Sequence, residues 1–387
     1  MMLRCLLLPL ATLILLPAMA QDVPDSLNWI ENGGFEQVDG KLKRVGSIEM
    51  AKGWKSPTAK KADLYSETVA GSPISVPLNI HGSQSALNGQ NYAGLLWWSY
   101  LNKEPRTYLQ AKFKKMLKKD QKYCIRYYVS LSDLSKYSSD QVGAYVSKIM
   151  VKKDDESNLT YEAQVPTLKT RLMEDLYSWQ GVCGVYEAKG EEQYLIIGNF
   201  AANEKTNTGK VKRPKGEARV QLANAYYYID DVSVFPIKNM NECKCEQLDK
   251  AESEFIFGRK GALNKNLAPA LQLDQSTIYF KRFKSDLDNS MVGLVKELAE
   301  VMKANPKIKV RLVGHTDTIE ADRVRIRPDL TDLDKDRAQT LKDAFIEAGV
   351  PAERIVVAGQ KAGSPADEGE DEVALSKNRR VEIEIEP

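Results

Sequence analysis

The residues of this chain best suited to chemistry are an acid and a base: Asp317, at the end of a strand-like run, and Arg337, in the first turns of a helical one. Val310, Leu312 and Val313 make the apolar run, which stops at Gly314-His315-Thr316-Asp317, and a helical pattern begins near Leu333. A carboxylate at a strand end and a guanidinium near a helix start can face one pocket. Such a pocket suits a ligand that carries both an ammonium and a carboxylate: Asp317 accepts from the first, and the planar fork of Arg337 grips the second with two parallel bonds. The same spacing also fits an ordinary surface ion pair, which contributes little to stability. Residue types alone leave both readings open.

The elements that must position this pair occupy residues 273–387. Thr277-Ile278-Tyr279-Phe280 reads as a strand, and Leu287, Met291, Leu294, Val295, Leu298 and Met302 recur at helical spacing until Asn305-Pro306 stops them. A second strand covers residues 309–313. Thr331 with Asp334 three positions later is a weak capping box for a second helix, whose apolar stripe is Ala338, Leu341, Phe345 and Ala348. Strands follow at 354–358 and 381–385. The expected domain is an α+β unit in β-α-β-α-β-β order, with its helices on one sheet face.

The rest of the chain has a different texture. Residues 1–20 carry Arg4, an apolar run from 6 to 16 and Ala18-Met19-Ala20, the pattern of an export signal. Residues 27–238 hold short aromatic and β-branched runs separated by glycines, which predicts an all-β sandwich. Residues 239–272 read as a linker. Export permits disulfides, and four cysteines remain after the signal. Cys124 and Cys183, on two strand-like runs, are the preferred pair, with Cys243 and Cys245 a candidate clamp in the linker. With 55 basic against 53 acidic residues the net charge is +2, which argues against nucleic-acid affinity. The run KFKKMLKKDQK at 112–122 fits a solvated sheet edge better than an anion site. Trp97, Trp98 and Tyr92 fit either a sugar-stacking platform or a sandwich core.

Four motifs give the C-terminal segment its family likeness. IYF at 278–280, GHTD at 314–317, LDKDRA at 333–338 and NRRVEIEI at 378–385 resemble the C-terminal domain of the OmpA family. The resemblance implies non-covalent binding of the peptide stem of peptidoglycan, through the free amino-acid centre of its diaminopimelate residue. Carried over by position, Asp317 meets the ammonium and Arg337 the carboxylate. Thr316 adds a hydroxyl contact, and Arg380 and Asn378 are framework residues, Arg380 tying the last strand to the pocket floor. The chain departs from the family in three places: the segment between Asp317 and Arg337 is longer, Leu330 stands where the family has Asn, and Asp334 replaces a serine. Asp329 or Asp332 is then the expected source of the missing contact. The insert at 319–328, with Arg323, Arg325 and Arg327, either extends the pocket or is a solvated loop.

The β region carries likenesses of its own. Asn32-Gly33-Gly34-Phe35-Glu36, Trp54 and the closing YYYIDDV at 226–232 resemble a galactose-binding-type jelly roll. In that family, acids of the first and last strands often hold a structural calcium, here Glu36 and Asp231. Residues 109–147 and 186–200 resemble the jelly-roll module that precedes the peptidoglycan-binding domain in outer-membrane proteins of the Bacteroidota.

Together these readings predict a two-domain periplasmic protein associated with the outer membrane. It fixes an assembly, a secretion or gliding machine in the family context, to the cell wall, and its jelly roll docks an outer-membrane protein partner. It requires no cofactor. The alternative is carbohydrate recognition through the jelly roll. An enzyme is not expected: Asp230 and Asp231, adjacent on a strand, face opposite sides, and His315 stands almost alone.

Overall fold

A computed structural model describes residues 26–165, 172–245, 263–370 and 372–386. The export signal, and the half of the linker from 246 to 262, lie outside the described residues. Among the described residues no helix is long and apolar enough to cross a membrane.

The N-terminal region is mostly β. Its principal strands are β1 (Trp54–Lys55), β2 (Asp63–Ser66), β3 (Asn91–Ser99), β4 (Leu109–Lys112), β5 (Lys122–Leu131), β6 (Gly143–Ser147), β7 (Gln180–Glu187), β8 (Tyr194–Gly198) and β9 (Asn224–Ile237). They form a five-stranded sheet in the order β7-β5-β9-β3-β2 and a four-stranded sheet in the order β1-β4-β8-β6, with antiparallel pairing throughout. One apolar core takes residues from both sheets. The start of the region is sewn to its closing strand by a single side chain: Asn28 Nδ2 donates to the Val232 carbonyl at 2.9 Å, and Val234 N donates to Asn28 Oδ1 at 3.0 Å. Gly33 is obligatory there, because a Cβ would lie 2.1 Å from the Val232 oxygen.

The aromatic residues are core, not platform. Trp97 and Tyr92 are fully buried and Trp98 nearly so. Trp97 Nε1 donates to the Gln141 carbonyl at 2.8 Å, and its ring meets Tyr227 edge-on at 5.6 Å. In the basic run, Phe113 and Leu117 point inward while the lysines at 112, 114, 115, 118 and 119 are exposed, as a solvated edge requires.

The disulfides are Cys124–Cys243 and Cys183–Cys245, which corrects the expected Cys124–Cys183 bond. Cys124 and Cys183 do lie on neighbouring strands, but the β5–β7 register opposes Cys124 to Val185 and Cys183 to Arg126. The stagger leaves each sulfur open to the chain that follows β9. There a short 3-10 turn, Met240–Cys243, and a left-handed Lys244 bring Cys243 and Cys245 back over the sheet.

The C-terminal domain contains α1 (Pro269–Asp274), β10 (Thr277–Tyr279), α2 (Asn289–Ala304), β11 (Lys309–His315), α3 (Thr318–Arg323), α4 (Leu333–Glu347), β12 (Ile355–Lys361), α5 (Glu372–Asn378) and β13 (Arg380–Glu386). The sheet order is β10-β13-β11-β12. β13 runs antiparallel to both its neighbours, and β11 runs parallel to β12. The apolar stripes of α2 (Met291, Leu294, Val295, Leu298) and α4 (Ala338, Leu341, Phe345) share a core with Val310, Leu312, Val381 and Ile383. Asp288 caps α2 through Ser290 N at 2.9 Å. The capping box expected at Thr331 is absent: its hydroxyl donates instead to the Pro328 carbonyl, and Asp332, the N-cap of α4, makes no side-chain cap bond. Helix α3 takes up the first half of the insert at 319–328, for which the sequence left a pocket extension and a solvated loop both open.

The start of α4 sits hard against β11. A Cβ on Gly314 would lie 1.8 Å from the Asp334 carbonyl oxygen. Backbone cannot yield as a flexible side chain does, so Gly314→Ala is expected to destabilise the domain by about 1–3 kcal/mol. The thermal midpoint at 222 nm checks this, since the two long helices among the described residues lie in this domain. An unchanged midpoint would mean that α4 does not rest on β11.

Candidate functional site: a buried acid and arginine cluster

The apolar residues of β11 place its C-terminal end at the edge of the core, where the chain turns at Thr316-Asp317. Asp317 is extended (φ −83°, ψ 173°) and is the N-cap of α3. A reciprocal capping box closes this turn: Glu320 N donates to Asp317 Oδ1 at 2.7 Å, and Asp317 N donates to Glu320 Oε2 at 3.2 Å. Helix α4 presents Arg337 to the same carboxylate. Its Nη1 and Nη2 donate to Glu320 Oε2 and Oε1 at 2.8 and 2.6 Å, the two-pronged geometry that guanidinium favours.

Neither Asp317 nor Arg337 is exposed, and both have partners inside the chain. Arg337 has five N–H donors, and all are used. Beyond the two bonds to Glu320 it donates to the carbonyls of His315 (2.9 Å), Lys284 (2.9 Å) and Lys281 (3.2 Å). Phe283 N adds a bond to Glu320 Oε1 at 2.7 Å. Asp317 Oδ2 accepts from Arg379 Nη1 at 2.7 Å. Arg379 in turn reaches Glu372, which also pairs with Arg282. Burial pushes the Asp317 carboxyl up, helped by the Glu320 charge and opposed by Arg379. Burial pulls Arg379 down, but the charges of Glu372 and Asp317 outweigh it and leave its pKa raised.

The structure therefore joins Asp317 and Arg337 through Glu320. The hydroxyl of Thr316 is buried beside them without a hydrogen-bond partner, while its backbone N–H donates to the Lys361 carbonyl. Asp329 is held by Arg327 Nε and Nη2 at 3.1 and 3.2 Å. It belongs to a contact with the N-terminal region, not to this cluster. Arg380 donates to Glu382 (2.7 Å) and to the Ser364 carbonyl (3.0 Å), and Asn378 frames the loop at Ala366 and Asp367. Asp334 accepts from Lys361 N at 3.0 Å and links α4 to β12.

Sequence reasoning missed Glu320, Arg379, Glu372 and Arg282. For Glu320 a signal was present: Asp317-x-x-Glu320 after a strand has capping-box spacing. Nothing singled out Arg379 over Arg380.

Residues 279–379 match the OmpA family. This segment contains Asp317, Glu320, Arg337 and Arg379. The peptidoglycan-associated lipoprotein of Haemophilus influenzae is 32% identical over 111 residues, which are 29% of this chain and 69% of that protein. The chain belongs to the OmpA family. Outer membrane porin F of Pseudomonas fluorescens is 33% identical over 108 residues, 27% of this chain and 32% of the porin. This chain spans only about a third to a half of the length of that porin and of several other curated relatives. The crystal structure of the peptidoglycan-associated lipoprotein from Burkholderia pseudomallei is 21% identical, covering 32% of this chain and 98% of that one, at a TM-score of 0.27. The membership rests on the C-terminal OmpA-like domain, where Asp317 and Arg337 both lie.

The acids named for calcium do not fit the ion. The Glu36 carboxylate is occupied by N–H donors: Gln90 N at 2.9 Å, Asn91 N at 3.0 Å and Asn91 Nδ2 at 3.2 Å. Asp230, not Asp231, turns inward, accepting from the amides of Leu87, Asn88 and Asp231. Calcium takes six to eight oxygen ligands, and among the described residues neither Glu36 nor Asp231 belongs to a cluster of three or more His, Cys, Asp or Glu side chains placed to share an ion.

Proposed function

We propose that the OmpA-like domain binds the diaminopimelate-containing stem peptide of peptidoglycan without covalent chemistry, and so tethers an outer-membrane or periplasmic assembly to the cell wall. One observation carries this reading. Asp317 and Arg337 lie one carboxylate apart, and each already holds a group of the type the ligand would bring. Arg379 presents a cation to Asp317, and Glu320 presents a carboxylate to Arg337. A free amino-acid centre carries both an ammonium and a carboxylate, so it matches both halves of this arrangement. Names among the relatives, peptidoglycan-associated lipoprotein and outer membrane porin, agree with the setting. Two charge-assisted contacts give a modest grip, and many copies acting together turn it into firm attachment.

The N-terminal β region, read as a jelly roll, is the surface for an outer-membrane partner. Carbohydrate recognition there loses its main support with the burial of Trp97, Trp98 and Tyr92.

Co-sedimentation of the purified chain with diaminopimelate-type sacculi tests the proposal. Asp317→Asn keeps an oxygen for the Glu320 amide but removes the charge an ammonium needs. It is expected to weaken binding by about tenfold or more, the equivalent of roughly 1.4 kcal/mol or more, with the 222-nm melting curve recorded alongside. Binding equal to that of the unsubstituted chain in a folded Asp317→Asn protein would remove Asp317 from the site.

A further inference from the structure

We infer that Glu320 is an internal competitor for the stem-peptide site, and that the contact between Arg327 and Asp133 of the N-terminal region holds it there. The inference rests on the binding role proposed above and adds its regulation.

The first part follows from saturation. Arg337 has no N–H left for a ligand carboxylate while Glu320 is in place. Binding must therefore be an exchange. The ligand carboxylate displaces Glu320 from Arg337, and the ligand ammonium displaces Arg379 from Asp317. The two displaced groups carry opposite charges and can pair with each other, which limits the cost of the exchange. Exchange requires α3 to move, because Glu320 sits at its third position and is tied at both backbone and side chain.

The second part follows from where the same segment goes next. Four residues beyond α3, Arg327 enters the N-terminal region. Its Nη1 donates to Asp133 Oδ1 at 2.7 Å and to the carbonyls of Ser83 (3.1 Å) and Leu176 (3.4 Å). Its guanidinium lies 4.3 Å from the centre of the Tyr177 ring. Ser83 Oγ donates to the Ile326 carbonyl at 3.1 Å, and the Tyr177 ring lies 5.9 Å from that of Phe283, whose amide holds Glu320. The side chains of Arg327 and Asp133 are 4% and 5% exposed, so the anchor is shielded from solvent. The short run from Glu320 to Arg327 thus has one end on the binding pair and the other on the β region. A partner that loosens the Asp133 end would raise affinity for the wall. By linkage, wall binding would loosen the contact between the regions to the same degree.

The test uses the full chain and diaminopimelate-type sacculi. Glu320→Gln keeps the capping box but withdraws the competing charge. Asp133→Asn lies in the other region and touches nothing in the binding pair. If the liganded form is held back by the closed one, each should lower the half-saturating concentration by about tenfold. The double variant should gain little over either single one, because both act on one equilibrium. Free diaminopimelate should also speed amide hydrogen exchange at 318–327 in the unsubstituted chain. Binding that is lost in Asp317→Asn but unchanged or weaker in both Glu320→Gln and Asp133→Asn would overturn the competitor and leave the binding role standing. Should Glu320→Gln fail to fold, Asp133→Asn and the exchange measurement decide. No binding by any of these proteins would overturn both readings.

Discussion

Arg337→Ala is expected to cost the OmpA-like domain about 3–5 kcal/mol, the usual penalty for removing one partner of a buried ion pair. The substitution strands the Glu320 carboxylate in the interior with only the Phe283 and Asp317 amides for company. It also leaves the carbonyls of His315, Lys284 and Lys281 short of a donor. Replacing both Arg337 and Glu320 by methionine should cost markedly less than Arg337→Ala alone, since no charge is then left unpaired. The reporters separate the two regions. All five tryptophans, at 29, 54, 97, 98 and 179, lie N-terminal to residue 238, whereas α2 and α4 dominate the signal at 222 nm. The helical transition should therefore fall while the tryptophan transition moves little. A shift below about 1 kcal/mol, in the range of surface ion pairs, would show that Arg337 is not buried against Glu320. Because Arg337→Ala also breaks the buried pair with Glu320, Asp317→Asn is the cleaner test of ligand binding.

Reduction of the two disulfides should have the opposite signature. Cys124–Cys243 closes 119 residues and Cys183–Cys245 closes 62. Each is worth about 2–4 kcal/mol through its restriction of the unfolded chain. Both span the β region, so the joint replacement of Cys243 and Cys245 by serine should lower the tryptophan transition by on the order of 10 °C or more. The 222-nm transition should stay near its original midpoint. Peptide mapping without reductant should recover Cys124 linked to Cys243 and Cys183 to Cys245. A Cys124–Cys183 peptide would contradict this pairing.

The β5–β7 stagger shows where sequence reasoning ends. The strands bearing Cys124 and Cys183 were legible from their aromatic and β-branched runs, and so was their proximity. The register was not, because a slip of two residues preserves every inward and outward assignment while changing which residues stand opposite each other; the Cys124 and Cys183 sulfurs end 4.0 Å apart, each bonded to a cysteine beyond β9. In the OmpA-like domain, α2, α4 and their apolar stripes follow from helical spacing. Helix α3 does not, being a six-residue helix with only Ile319 and Ala321 as apolar residues, too short a run to show helical spacing. Asp317 and Arg337 were found as a pair from their motifs. What lies between them was harder to see: Glu320 has capping-box spacing from Asp317, but it stands in a run of mixed charge and only the fold turns it inward. Arg379 and Arg380 are adjacent, and only the path of the chain into β13 decides which one meets Asp317.

The strand order of the OmpA-like domain has a kinetic meaning. No two antiparallel neighbours in its sheet are joined by a hairpin: β10 must wait for β13, about 100 residues later in the chain, and β11 and β12 meet only through a crossover containing α3 and α4. Among its described residues this domain therefore has no short-range strand pair on which to nucleate, and each of its β contacts must first close a long loop. Folding of this domain should accordingly be slow for its size and all-or-none. A single protease cut in the loop at 362–370, which severs the covalent link to the central strand, should dismantle the whole sheet and not merely fray an edge.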